Sequence, residues 1–233
     1  MINCYFDESG NSGSILLTED NKTFDNQFSF TLACICINKE RVVDFESDIL
    51  KLKKKHNIQL QELKCDKIYK KRDNFIFDLL EILKKYDVNI LVELVDKKYN
   101  LCCNIFNHLF IPWDELCYDY EDNLIASYIT DLLYDKISDE FLIKFSRAAK
   151  ELSKDSVEDL FDCLLDELKS IHSECDVSKL VLRSKKRFLE ESMKNVDAYT
   201  IFLPEPDPNL KGKNITMLPN LSSFTNIIAR LNK

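Results

Sequence analysis

The residues of this chain best suited to chemistry are carboxylates that directly follow apolar strands. Residues 2–6 alternate apolar and polar side chains, which predicts a strand that ends at Asp7. Residues 88–95 are nearly all apolar, which predicts a strand buried on both faces that ends at Asp96. If these strands are parallel neighbours, the two carboxylates lie at one edge of the sheet, about 4.8 Å apart. Like charges that close repel each other unless a divalent cation lies between them.

Carboxylate oxygens are hard ligands of the kind that Mg²⁺ or Mn²⁺ prefers. Two such ions about 3.5 to 4 Å apart can activate water and stabilise the leaving oxygen when a phosphodiester bond is hydrolysed. A further predicted strand, residues 198–203, leads into a proline-rich turn that carries two more carboxylates, Glu205 or Asp207, as candidates. The pattern therefore predicts a metal-dependent nuclease site.

The segment behind the first strand is rich in polar groups and glycine. Asp7 is followed by Glu8, Ser9 and Gly10, and Gly13 lies three residues further on. Three polar groups at the end of an apolar strand, followed by a flexible turn, are typical of a binding site. The two glycines are expected to let the chain turn sharply behind Asp7.

Glycine is otherwise scarce, since the 233 residues include only three. A phosphate-binding loop needs two glycines at fixed spacing and a dinucleotide fingerprint needs three, and neither pattern occurs. The nucleophile elbow Gly-x-Ser-x-Gly is absent too. His56, His108 and His172 are isolated, without the spacing of zinc ligands, and are interpreted as structural or exposed. Carboxylates with a cation remain as the expected way to handle phosphate.

Charge is distributed unevenly along the chain. The 32 basic and 40 acidic residues give a net charge of -8. Residues 39–72 hold eleven Lys and Arg against six Asp and Glu, a net charge of +5, whereas residues 114–168 hold five against sixteen, a net charge of -11. The basic stretch predicts a track for DNA or RNA, and the acidic stretch predicts contact with a protein partner or a second copy.

The cysteines and the hydropathy indicate the compartment. Nine cysteines occur without a Cys-x-x-Cys pair, which predicts a reduced, cytoplasmic protein. Cys34 and Cys36 fall at apolar strand positions and are interpreted as packing residues. No run approaches the roughly 18 apolar residues of a membrane span, so no membrane association is expected.

The order of predicted elements is that of an α/β sheet interrupted by helices. Residues 15–17 and 28–37 are expected to continue the first strand as an antiparallel meander. Helical periodicity follows an N-cap at Asn38 and recurs at residues 71–86. The later predictions are a helical block over residues 101–196 with its clearest helix starting at Ser156, short strands at residues 198–203 and 215–218, and a last helix capped by Ser222 or Ser223.

Several of these segments together resemble a known family. They are the strand ending in Asp7-Glu8-Ser9-Gly10, the apolar strand at residues 28–37, the Glu62-Leu63-Lys64 segment and the strand ending in Val95-Asp96-Lys97. The chain in these parts resembles domain of unknown function 3800, a family assigned an RNase H-like fold and suspected of metal-dependent nuclease activity, often in bacteria and mobile elements. The resemblance covers residues 1–98 well, the helical middle hardly at all and the end moderately.

The resemblance implies a fold of α/β class, an RNase H-like mixed sheet flanked by helices with a large helical insertion before the last strand. Residues 1–100 would form its N-terminal part, residues 101–196 the helical insertion, and residues 197–233 the strand and helix that complete the domain.

The resemblance also implies a ligand set. Asp7 would be the first metal ligand, Glu62 the second acidic residue and Asp96 a third. The family carries an aspartate on its last helix, and Asn226 stands at that position here. An amide oxygen can still ligate a metal but brings no negative charge, and Asp207 could substitute.

Two functions follow. The first is an Mg²⁺- or Mn²⁺-dependent RNase H-like nuclease, in a bacterial defence or mobile-element context, with an acidic set and two phosphate-facing lysines. The second is a catalytically degenerate RNase H-like module, disabled by Asn226, that serves as a protein-binding accessory subunit. A PIN-like nuclease also begins with a strand-terminal aspartate, but it would have a mostly parallel sheet. The acidic set of the first function is Asp7, Glu62, Asp96 and Asp207, and the lysines are Lys64 and Lys97.

Overall fold

The structure is a computed structural model that shows a mixed α/β protein in which helices predominate. It describes residues 1–10, 15–17, 24, 27–59, 73–111, 120–170, 175–195, 197–204 and 217–232. The elements are β1 (Ile2–Ser9), β2 (Ser29–Asn38), α1 (Val42–Lys55), α2 (Asp73–Lys85), β3 (Asn89–Asp96), α3 (Lys97–Ile105), α4 (Tyr120–Lys136), α5 (Asp139–Glu151), α6 (Lys154–Ser170), α7 (Cys175–Lys194), α8 (Tyr199–Phe202) and α9 (Pro219–Leu231). The predicted α/β class is confirmed, and the RNase H-like fold stays a prediction.

The three strands form one antiparallel sheet in the order β1-β2-β3. The backbone N–H of Lys39, just after β2, donates to the carbonyl of Met1 at 2.9 Å, and the N–H of Lys97, just after β3, donates to the carbonyl of Phe28 at 2.9 Å. Each outer strand therefore runs opposite to β2. The expected direct pairing of the first strand with the strand before Asp96 is wrong, because β2 lies between them and separates their backbones by two spacings, roughly 9.6 Å.

The third strand is less buried than its sequence predicts. Ile90, Val92 and Leu94 are 49%, 52% and 68% exposed, so the expectation of a strand buried on both faces is wrong. β3 is an outer strand of the described sheet, and alternate side chains of a strand point to opposite faces. An apolar run identifies a strand here but does not show how many of its faces are covered.

Two other predicted strands are not strands. Residues 15–17 are buried among helices, where the N–H of Ile15 donates to the carbonyl of Met217 at 3.0 Å. Residues 199–202 form the short helix α8, although their β-branched and aromatic side chains favour a strand. Packing overrides this propensity, because the Phe202 ring is completely buried among other helical residues. Of residues 215–218, the structure describes only the last two, which are not in a strand.

The chain divides into two compact units. The N-terminal unit comprises Met1–Glu8 and Leu32–Glu93, and the helical unit comprises Ser9–Thr31 and Leu94–Lys233. The predicted domain boundaries at residues 100 and 196, and the insertion they would enclose, stay predictions.

In the N-terminal unit, α1 and α2 pack through apolar side chains and a set of charged groups. Asn38 accepts a hydrogen bond from the N–H of Glu40 at 3.1 Å, which confirms the predicted start of the helical segment. Asp48 on α1 accepts hydrogen bonds from Lys85 at 2.5 Å, Lys51 at 2.9 Å and the Tyr86 hydroxyl at 2.9 Å. These donors hold the pKa of the Asp48 carboxyl well below its usual range, so the carboxylate stays charged and links the two helices.

The helical unit confirms the predicted helical block and contains the larger apolar core. At its centre the rings of Phe161, Phe188 and Phe202 contact one another, with centroid separations of 5.3 to 5.9 Å. The clearest predicted helix begins slightly earlier than expected. Ser153 and Ser156 exchange hydrogen bonds between hydroxyl and backbone N–H at 3.2 and 3.3 Å, a capping arrangement centred on Ser153.

The last helix also begins earlier than predicted. α9 starts at Pro219 and not at Ser222 or Ser223, because proline is favoured in the first turn, where its missing N–H costs no helical hydrogen bond. Ser223 lies within the helix, not at its start, and its side chain is buried, as is that of Ile227.

The aromatic cluster gives a test of the core. Phe161→Ala is expected to lower the free energy of unfolding by about 3 to 5 kcal/mol, because it removes a fully buried ring and leaves a cavity. Urea denaturation followed by circular dichroism measures the change. Leu182→Ala, at a side chain that is 52% exposed, is the control and is expected to change it by less than about 0.5 kcal/mol. Equal losses in both variants would contradict the assignment of the core.

Candidate metal and nucleic-acid site

The last residues of β1 include two carboxylates that are exposed to solvent. Asp7 and Glu8 are exposed, and no described residue forms a hydrogen bond or an ion pair with either carboxylate. Successive residues of a strand point to opposite faces, so the two side chains lie on different sides of β1. β1 extends to Ser9, two residues beyond the predicted end at Asp7, and Ser9 is exposed as well.

Gly10 allows the chain to leave β1. Its φ is +99°, a conformation that side chains with a Cβ rarely adopt. A Cβ at this position would lie 2.9 Å from the carbonyl oxygen of Ser29 and 3.3 Å from Nε2 of Gln27. The prediction that glycine is needed directly behind the strand is confirmed for Gly10, whereas Gly13 lies outside the described residues.

Asp96 begins a helix. Its Oδ1 accepts a hydrogen bond from the backbone N–H of Tyr99 at 2.9 Å, which makes it the N-cap of α3. Its Oδ2 accepts a hydrogen bond from the hydroxyl of Tyr134 on α4 at 3.1 Å, and this bond raises the pKa of Tyr134. The Tyr99 and Tyr134 rings contact edge to face, 5.8 Å between centroids. Both oxygens of Asp96 are thus engaged in joining β3, α3 and α4.

Lys97 is not placed to meet phosphate from solvent. It is only 7% exposed, and its Nζ donates to Oε1 of Gln27 at 3.4 Å. Burial lowers the pKa of Lys97, since the charged form is poorly solvated there. Lys97 is the first residue of α3, and helical side chains lean towards the N-terminus, which directs this one back towards the start of β2.

Of the four remaining predicted site residues, the structure describes only Asn226. Asn226 is exposed on α9, on the flank of the stripe that buries Ser223 and Ile227. Glu62, Lys64 and Asp207 lie outside the described residues, so their place in the acidic set stays a prediction.

A cluster of three thiols was missed by the sequence interpretation. The Sγ atoms of Cys4 and Cys36 are 3.0 Å apart, those of Cys34 and Cys36 are 3.6 Å apart, and all three lie within 4.8 Å of one another. The signal in the sequence was the Cys-x-Cys spacing, which places two thiols on one face of a strand. This spacing differs from the Cys-x-x-Cys spacing of zinc ligands, and Cys4 lies far from the other two cysteines in the sequence.

Both described histidines, His56 and His108, contact polar groups of the protein itself. Nε2 of His56 lies 2.6 Å from the Asp78 carboxylate. His108 is buried, and its Nδ1 lies 3.4 Å from the carbonyl of Ile201, which can only accept, so Nδ1 carries the proton. Burial lowers the pKa of His108 to about 4, and the ring is therefore neutral at pH 7.

No protein-family model, curated protein or solved structure matches this chain. None of the described helices is both long enough and apolar enough to cross a lipid bilayer.

Two substitutions at Asp96 test its role as a cap. Asp96→Ala is expected to lower the free energy of unfolding by about 1 kcal/mol, because the N–H of Tyr99 loses its acceptor. Asp96→Asn keeps an acceptor oxygen and is expected to retain most of the stability, as measured by thermal denaturation at pH 7. A loss in Asp96→Asn as large as that in Asp96→Ala would show that the negative charge, and not the cap, is what the fold requires.

His108 gives the protein a defined pH dependence. Its pKa is lower in the folded chain, about 4, than the usual value of about 6.5, so the unfolded chain binds the proton first as the pH falls. The contribution of His108 to stability is complete above pH 6.5 and is lost between pH 6.5 and 4, by about 3 kcal/mol.

Urea denaturation across this pH range measures the loss. His108→Gln, which cannot titrate but can still donate to the Ile201 carbonyl, is expected to show a flatter profile than the parent protein. His56→Gln is the control for loss of a histidine as such. A profile for His108→Gln as steep as that of the parent would contradict the assignment.

Proposed function

We propose that this protein is an Mg²⁺- or Mn²⁺-dependent nuclease of RNase H-like type that hydrolyses phosphodiester bonds. The observation that carries the proposal is the exposed carboxylate of Asp7 near the end of β1, with which no described residue forms a hydrogen bond or an ion pair, and the turn at Gly10 behind it. Strand-end carboxylates that have no partner among the described residues are available to a ligand. Their hard oxygen atoms fit a hard divalent cation.

In this proposal Asp7 supplies the first ligand. Glu62 and Asp207 would complete the acidic set, and Asn226 would add a neutral amide oxygen in place of a carboxylate. Asp96 can join the set only while it remains the cap of α3, which is chemically allowed because a carboxylate has about four acceptor positions and the fold uses two. The bound ion would supply a water of lowered pKa and would stabilise the leaving oxygen.

The basic stretch offers a surface for the phosphate backbone. Lys51 and Lys55 on α1 are ion-paired with Asp48 and Asp78, yet their side chains are 73% and 65% exposed. Because the two ammonium groups are exposed, phosphate groups can reach the same lysines and compete with the carboxylates for them, the more so at low salt. The surface formed by Lys51 and Lys55 would bind the phosphate backbone of DNA or RNA through charge, without base-specific contacts.

The test is cleavage of single-stranded, double-stranded and hybrid substrates in Mg²⁺ or Mn²⁺, with a chelator as the blank. Asp7→Asn is expected to reduce the rate by about 100-fold or more, because a lost ligand removes several kcal/mol of stabilisation at the ion. Asp44→Asn, at another exposed aspartate of the N-terminal unit, is the matched control and should cleave normally. Unchanged cleavage by Asp7→Asn would refute the assignment.

A second function is favoured by the state of Asp96. Tyr99 and Tyr134 donate to its two oxygens, and a neutral amide stands at Asn226, so among the described members of the proposed set only Asp7 offers a carboxylate that the fold does not use. In that case the protein is a degenerate module that binds a protein partner through the acidic residues 114–168. It would show no cleavage in the assay above and no thermal stabilisation by Mg²⁺ or Mn²⁺.

A further inference from the structure

We propose that Cys4, Cys34 and Cys36 form a site for a soft monovalent cation, Cu(I), held by three sulfur atoms. The site lies entirely within the N-terminal unit, on β1 and β2. It is independent of the proposed nuclease function, because none of its atoms belongs to the acidic set.

The strand pairing brings the three sulfurs together. The hydrogen bond from Lys39 to Met1 places these residues opposite each other, and three steps along each antiparallel strand place Cys4 opposite Cys36. Cys34 is two residues from Cys36 and therefore lies on the same face of β2. The cluster is thus fixed by backbone hydrogen bonds and does not depend on a flexible loop.

The spacing of the sulfurs suits one ion with three ligands. A metal–sulfur bond of about 2.3 Å in a trigonal plane puts neighbouring sulfurs about 4.0 Å apart. The observed separations of 3.0 and 3.6 Å, with all three sulfurs within 4.8 Å, are each within about 1 Å of that value. Small side-chain rotations would complete the geometry.

The chemistry of the cluster selects a soft cation with a low coordination number. Thiolates favour Cu(I) over Mg²⁺ or Mn²⁺. Structural zinc sites are almost always tetrahedral, and among the described residues the cluster offers no fourth cysteine, histidine or carboxylate. Cys34 and Cys36 are buried, so the ion would be largely removed from water, while the exposed Cys4 provides the route of entry.

Binding must displace protons from the thiols. Burial raises the pKa of Cys34 and Cys36, and the hydrogen bond with Cys36 raises the pKa of Cys4. Each thiol that becomes a ligand releases one proton, and the affinity therefore rises with pH.

The experiment uses the full chain, reduced and kept without oxygen, and a chromogenic Cu(I) chelator as competitor. The parent protein is expected to withdraw one equivalent of Cu(I) from the chelator, and X-ray absorption of the complex is expected to show three sulfur neighbours. Cys34→Ser and Cys36→Ser are each expected to weaken binding by at least about tenfold. Cys163→Ser removes a half-buried thiol on α6 and serves as the matched control that keeps parental affinity.

Three results would overturn the proposal. The first is equal Cu(I) affinity in Cys34→Ser, Cys36→Ser and Cys163→Ser. The second is a Cys4–Cys36 disulfide that persists in reductant and blocks the ion, as detected by peptide mapping after alkylation. The third is a parental complex with fewer than three sulfur neighbours, a measurement that decides the question even if the serine variants fail to fold. Nuclease assays are not involved, so a failure here leaves the Asp7 test unaffected.

Discussion

The central position of β2 is the constraint on which the arrangement of functional groups depends. β1 and β3 both take their hydrogen bonds from this one strand, and its side chains Phe30, Leu32, Cys34 and Cys36 are buried on a single face. The hydrogen bonds at Met1 and at Lys97 fix the register of the two outer strands against it. Because β2 stands between them, each outer strand presents its terminal carboxylate in a separate local environment.

Three aspartates of the described chain show how the same residue type serves different purposes. Asp48 and Asp96 are surrounded by donors that hold helices in place, and their charges are used within the fold. Asp7 is also an aspartate of the sheet region, yet no described group engages it. When a ligand binds a carboxylate that has no partner among the described residues, the fold loses no hydrogen bond, whereas binding at Asp48 or Asp96 would compete with their present donors. This contrast, more than the number of acidic residues, distinguishes the candidate site.

The sequence was sufficient for elements whose periodicity is long and regular. The helices from Asn38 to Lys55 and across the helical block, and the strands β1 and β2, were predicted because their apolar spacing has only one consistent interpretation. Short segments were not, because tertiary packing decides them: residues 199–202 have strand-like side chains but complete an aromatic core as a helix.

Pairing between distant strands was also beyond the sequence. Neither the separation of β1 from β3 nor the meeting of Cys4 with Cys36 can be read from local spacing, since both depend on register. The turn at Gly10 was predictable, because glycine behind a strand has a specific backbone use. The burial of Lys97 was not, since a lysine after a strand usually reaches solvent.

The open face of β3 has a consequence for how the protein behaves in concentrated solution. Ile90, Val92 and Leu94 form an apolar row on an outer strand, the type of surface along which chains can add to one another as extra strands. Glu93, which interrupts the row in sequence, and the net charge of -8 both oppose such stacking through repulsion between copies. That repulsion is screened by salt, so colloidal stability is expected to be greatest in dilute buffers at low ionic strength.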